Sequence, residues 1–73
     1  MARYYFHIRD GKDLPDAVGT ELPNLAAVRQ EAISAAGEML RDVASVWTGE
    51  EWRMTVLDDT GAQVLLLRFS AEG

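Results

Sequence analysis

Seventy-three residues allow one domain, residues 1–73, with a thin core, because folding at this length buries only about 60% of the surface an unfolded chain exposes. Cysteine is absent, so there is neither a disulfide nor a thiolate metal site, and self-association becomes the leading candidate for what supplements so small a domain. The formal net charge of −5 opposes nonspecific attraction to nucleic acid or anionic lipid, and no apolar run reaches the ~20 residues of a bilayer span.

Arg3 to Arg9 is aromatic and β-branched, which predicts a strand, and Asp10-Gly11 ends it. Alternation puts Tyr4, Phe6 and Ile8 on one face and Tyr5, His7 and Arg9 on the other. The stretch DGKDLPDAVG is rich in turn formers and reads as an extended turn before a short strand over Thr20 to Leu22.

Asn24 is a candidate N-cap that opens a helix at Leu25. No proline intervenes before Trp47, and Thr48-Gly49 supplies the stop, so the helix is expected to run from Leu25 to about Trp47. Steps of 100° place Leu25, Val28, Ala32, Ala35, Ala36, Met39 and Val43 on one face, with alanines at its centre that let a sheet approach closely. Ile33, Leu40 and Trp47 recur every seven residues as a flanking row, which widens the apolar arc to ~160° against the ~100° that packing on one sheet face requires.

EWRMTVL alternates as a strand, with Trp52, Met54 and Val56 inward and Arg53, Thr55 and Leu57 outward. DDTG reverses the chain, Gly61 supplying the left-handed residue of a bulged turn, and QVLLLRF returns as an antiparallel partner. Its inner residues are Leu65, Leu67 and Phe69, and its outer ones Val64, Leu66 and Arg68. The expected fold class is therefore α+β: a two-layer ββαββ arrangement with a mainly antiparallel sheet of about four strands and one long amphipathic helix across one face. Strand order stays open, since either hairpin edge can meet the first strand.

Turning each strand's more apolar side to the helix leaves Arg3, Tyr5, His7, Arg9, Arg53 and Arg68 on the outer face, with the acidic residues expected elsewhere. Aromatic and basic side chains on one sheet face can stack bases and hold phosphates. The paired aromatic-glycine motifs of RNA-binding sheets are missing, and solvated arginines are the ordinary content of such a face, so nucleic acid is disfavoured as a partner. His7 is a half-exposed packing residue unless the fold brings it a carboxylate, and Asp10, at odd spacing, points away from it. Asp10, Asp13 and Asp16 lack the alternate-position ligands of a calcium loop and read as turn formers. With no nucleophile elbow, histidine pair or glycine-rich phosphate loop, no enzyme activity, catalytic residue, cofactor or metal is expected.

Three stretches, RYYFHIRDG, VGTELPNLAAVRQEA and VLDDTGAQVLLLRF, together resemble a family of small bacterial proteins, common in alphaproteobacteria, classed as a domain of unknown function and marked by a Y-F-H-[IL]-R-D-G opening. The motif stands here as Tyr5-Phe6-His7-Ile8-Arg9-Asp10-Gly11, and the resemblance covers almost the whole chain, including the spacing to Gly19, Leu22 and the helix. It implies a cytoplasmic bacterial domain and transfers no catalytic residue.

The leading expectation is a non-enzymatic, soluble cytoplasmic module that forms a homo-oligomer or binds a protein partner, with no membrane association. The candidate contact residues are Tyr5, His7, Arg9, Arg53 and Arg68 on the outer sheet face and Ile33, Leu40 and Trp47 on the helix. The alternative is an anion or single-stranded nucleic-acid binder using the basic outer face.

Overall fold

The computed structural model describes residues 1–43, 45, 47 and 50–72. One helix packs on one face of a five-stranded antiparallel sheet, in the chain order β1 (Ala2–Arg9), β2 (Asp13–Leu14), β3 (Thr20–Leu22), α1 (Leu25–Val43), β4 (Trp52–Leu57) and β5 (Gln63–Phe69). The α+β class stands as expected, with one strand more. DGKDLPDAVG is not all turn: Asp10–Lys12 makes a tight reversal, with Gly11 at φ +73°, and Asp13 and Leu14 pair back onto Arg9 and Ile8.

The main path through the sheet is β2-β1-β4-β5, and β3 pairs with β1 on the side that β2 also occupies. β1 is thus flanked along one edge by two short strands and along the other by β4. Register carries the alternation across the sheet, so Ile8 opposes Met54 and Met54 opposes Leu67, while Phe6 opposes Val56 and Val56 opposes Leu65. Trp52 meets Phe69 edge-on with ring centroids 5.8 Å apart.

Asn24 caps α1 as expected: its Oδ1 accepts the Ala27 N–H at 2.8 Å, and its carbonyl accepts the Val28 N–H at 3.2 Å. The helix ends at Val43, short of Trp47. Beyond Val43, Ser45 lies in a turn, and one helical-type bond runs from the Trp47 N–H to the Val43 carbonyl at 2.8 Å. The expected stop at Thr48-Gly49 lies outside the described residues.

The buried core consists of Tyr4 and Ile8 from β1, Val28, Ala32 and Ala36 from α1, and Trp52, Met54 and Val56 from β4. Small side chains at 32 and 36 bring the helix close over β4, and Leu25 and Met39, expected inside, lie at the margins and are exposed. Val64 is also displaced from its expected face. The β4–β5 register slips between Val56 and Leu57, so Val64 is an extra residue in β5, and this bulge turns it onto the core side, where it borders a recess with Leu25 and Val28. Among the described residues no helix is long and apolar enough to cross a membrane.

Candidate functional site

The outer face of the sheet is built in transverse rows set by register. Tyr5 lies opposite Leu57; His7 opposite Thr55 and, beyond it, Leu66; Arg9 opposite Arg53 and, beyond it, Arg68. The fold therefore does bring Arg9, Arg53 and Arg68 into one line across three strands. Like charges so placed repel, and carboxylates relieve them. Glu51, just before β4, accepts from Arg53 Nη2 at 2.6 Å and lies 3.6 Å from Arg68 Nε, while Asp13 lies 3.4 Å from Arg9 Nη1. Arg3 is likewise 3.4 Å from Glu21. The hydrogen bond from Arg53, with the charges of Arg53 and Arg68, holds the Glu51 carboxyl below its ordinary range.

The expected segregation of charge is thus corrected. Asp13, Glu21 and Glu51 come to the basic face because β2, β3 and the start of β4 bring them beside it, a placement that depends on strand order. Arg53 retains one buried atom, Nε, with no partner among the described residues.

Tyr5 and His7 have a local role. Their rings stack with centroids 6.5 Å apart and planes 10° from parallel. The loop between β2 and β3 folds against them: His7 Nδ1 accepts the Asp16 N–H at 3.0 Å, and Arg3 Nη1 donates to the Val18 carbonyl at 2.8 Å. As an acceptor, Nδ1 leaves the proton of a neutral imidazole on Nε2. Gly19, at φ +74°, lies against the side chains of Arg3 and Tyr5. A Cβ there would stand 2.9 Å from Arg3 Cγ, 2.9 Å from Tyr5 Cε1 and 3.0 Å from the Tyr4 carbonyl.

Asp16 completes the arrangement. One carboxylate oxygen accepts the Phe6 N–H at 3.1 Å, and the other accepts the N–H groups of Val18 and Gly19, each at 3.0 Å. Phe6 sits in the stretch of β1 between the segments paired with β2 and β3, so the Asp16 side chain replaces a missing strand there. Burial by itself pushes the Asp16 carboxyl up, but the N–H groups of Gly19, Phe6 and Val18 outweigh it and hold the group below its ordinary value. Asp16 is thus more than the turn former its loop composition suggests, since it also bonds β1; the local part of its role is signalled by the D-A-V-G spacing, which suits an aspartate bonding backbone two and three residues on.

The remaining candidates do not form one seam. Ile33 is 53% exposed, whereas Leu40 and Trp47 are half-buried against the core. Trp47 lies past the helix end, and its indole Nε1 donates to the Glu50 carbonyl at 3.0 Å. Ile33 follows Leu25 and Arg29 at four-residue intervals, and those two border a recess with Val64 and Leu65 of β5. This helix row therefore runs along the β5 side of the molecule. β5 itself pairs with β4 only, among the described residues, and so forms a free edge of the sheet.

A family model described as Domain of unknown function (DUF6894) matches residues 3–70. The chain belongs to the DUF6894 family. The match takes in all of the DUF6894 elements described above from Arg3 onward, including the Tyr5, His7, Asp16 and Gly19 cluster. No curated protein and no solved structure matches the chain.

Proposed function

We propose that this DUF6894 domain is a non-enzymatic module of the bacterial, alphaproteobacterial cytoplasm that self-associates through β5. The origin and compartment rest on the resemblance of the opening motif. The observation that carries self-association is the state of the β5 edge. Gln63–Phe69 is seven residues long, contains no proline and a single charge, and has no strand, helix or charged inward-facing side chain covering its outer side among the described residues. An edge of that kind presents a row of backbone donors and acceptors to another strand. Two copies related by a twofold axis pair β5 with β5 antiparallel and join their sheets. The helix row ending at Ile33 and the half-exposed Phe69 lie on the same side and add apolar area to the contact. The elongated shape, 40 Å in its longest extent, and the short core agree with a domain that gains stability from a second copy.

Sedimentation equilibrium of the full chain at micromolar concentration tests this. A monomer–dimer equilibrium is expected, and Leu66→Lys, which adds a charge to the edge, should weaken it while circular dichroism stays native. A monomer at every concentration, or a dimer indifferent to Leu66→Lys, overturns the proposal. The anion-binding alternative has one observation in its favour, the in-register arginine row, but Glu51 and Asp13 already occupy those guanidinium groups. Oligonucleotide binding at low salt that is lost on Arg53→Ala and Arg68→Ala would move the function to that face.

A further inference from the structure

On the side of α1 away from β5, the helix and the β1–β2 corner leave an open groove. It consists of two adjoining recesses of about 380 Å³ and about 230 Å³ that share Ile8, Leu14 and Met39. Phe6 and Ala35 extend the apolar floor at one end and Trp52 at the other. Leu14 and Met39 stand 45% and 43% exposed on opposite walls, although both are large and apolar.

The rim is acidic throughout. Asp16 and Glu31 border the first recess and Asp10 and Asp42 the second, and among the described residues no arginine, lysine or histidine lines either. These carboxylates come from three separate places in the chain: the β1–β2 turn, the β2–β3 loop and one flank of α1. Asp16 is held by backbone N–H groups, but the side chains of Asp10, Glu31 and Asp42 make no hydrogen bond or ion pair among the described residues. All the bridged carboxylates belong to the opposite, outer face of the sheet.

We propose that this groove binds a short, extended basic–apolar segment of a partner protein. The charge of the rim selects the cations, and the floor takes apolar side chains between them. Length sets the segment: Glu31 and Asp42 are separated by about 16 Å along the helix axis at 1.5 Å per residue, a span that about five residues of extended chain match. A segment with alternating basic and apolar residues places its apolar side chains in the recesses and its cations against the rim. The groove lies across the molecule from β5, so its occupation is independent of the dimer.

Fluorescence anisotropy of the full chain with a labelled arginine–leucine hexapeptide (RLRLRL) tests the inference, with an arginine–serine peptide (RSRSRS) and a glutamate–leucine peptide (ELELEL) beside it. Saturable binding of RLRLRL is expected, together with at least about tenfold weaker binding of both other peptides and a response in Trp52 emission. The double variant Glu31→Lys/Asp42→Lys, altered at exposed positions only, should lose about tenfold or more in affinity with native circular dichroism. Leu66→Lys should bind RLRLRL as well as the unaltered chain, which separates this site from the β5 contact. Equal binding of RSRSRS, unchanged binding by the double variant, or loss of binding in Leu66→Lys overturns it.

Discussion

The two edges of the sheet are finished in opposite ways. Along β1, a strand of eight residues is closed off by β2 at one end and β3 at the other, and the gap between them is filled by a side chain, with Asp16 accepting the Phe6 N–H. Along β5 nothing comparable is present among the described residues: seven residues of mainly aliphatic strand end the sheet. A long open edge invites pairing with other chains, and the chain devotes the eleven positions from Lys12 to Leu22 to closing one of its two. The open β5 edge is the feature on which the proposed self-association rests.

Four expectations sharpen or break that contrast. The largest effect is expected at Gly19, where an alanine meets both an unfavourable positive φ and backbone and side-chain atoms about 3 Å away. Gly19→Ala should cost about 2–4 kcal/mol in urea unfolding, and a loss within error would mean that the loop does not lock the β1 edge. Gly61→Ala is the control, since a Cβ there has nothing within 4 Å and only its φ of +87° to oppose it.

Next in size is Asp16→Ala, which leaves the Phe6 N–H without its acceptor and should cost about 2 kcal/mol. The same carboxylate gives a pH dependence. Its folded pKa is depressed, so its contribution is fully present above the ordinary aspartate value and is lost as pH falls through the lower folded one. Asp58 acts in the same direction, held down by the Thr60 hydroxyl and by the N–H groups of Ala62 and Thr60. Acid unfolding should therefore begin below about pH 4, and the Asp16→Ala variant should show a shallower acid limb in the same titration.

At the open edge the effect should fall on association instead. Leu66→Lys is expected to weaken the dimer about tenfold or more, equivalent to about 1.4 kcal/mol, while altering monomer stability by less than about 1 kcal/mol. If it destabilised the monomer as much as Asp16→Ala does, β5 would be a structural strand with no further role. The smallest effect belongs to Arg9→Ala, whose partner Asp13 is solvent-exposed at 3.4 Å; a change below about 0.5 kcal/mol is expected from thermal or urea melts.

Local signals were strong wherever the chain repeats a physical pattern. Alternation marked β1, β4 and β5 and their inner faces, Asn24 marked the start of α1, and Asp58 with Gly61 marked the hairpin. Those features depend on residues within a few positions of one another. The misplacements share the opposite property. Strict alternation puts Val64 on the outer face, but a bulge interrupts the alternation, and a bulge is visible only once β5 is laid against β4. Asp13 and Leu14 form a strand because β1 is there to receive them, and two residues have no periodicity to read.

The candidate site was legible in part. Tyr5, His7, Arg9, Arg53 and Arg68 do occupy the outer face, but what each one meets comes from elsewhere in the chain: Asp16, Val18 and Gly19 for the aromatic cluster, Asp13 and Glu51 for the arginines. The opening stretch accordingly holds two kinds of residue, core and clasp. Tyr4 and Ile8 are buried with Phe6 beside them, and Tyr5 and His7 hold the loop that closes the β1 edge.

By itself the sequence determined the element types, the inward and outward faces of most of them, the helix cap and the absence of thiol chemistry, because period, turn propensity and composition act over short range. Only the tertiary structure decided strand order, the unequal finish of the two edges, the neutralisation of the arginine row and the acidic groove beside α1. Each of these joins residues far apart in the chain, and their meeting depends on which strands pair and on which flank of the helix each edge lies, geometry that no local pattern encodes.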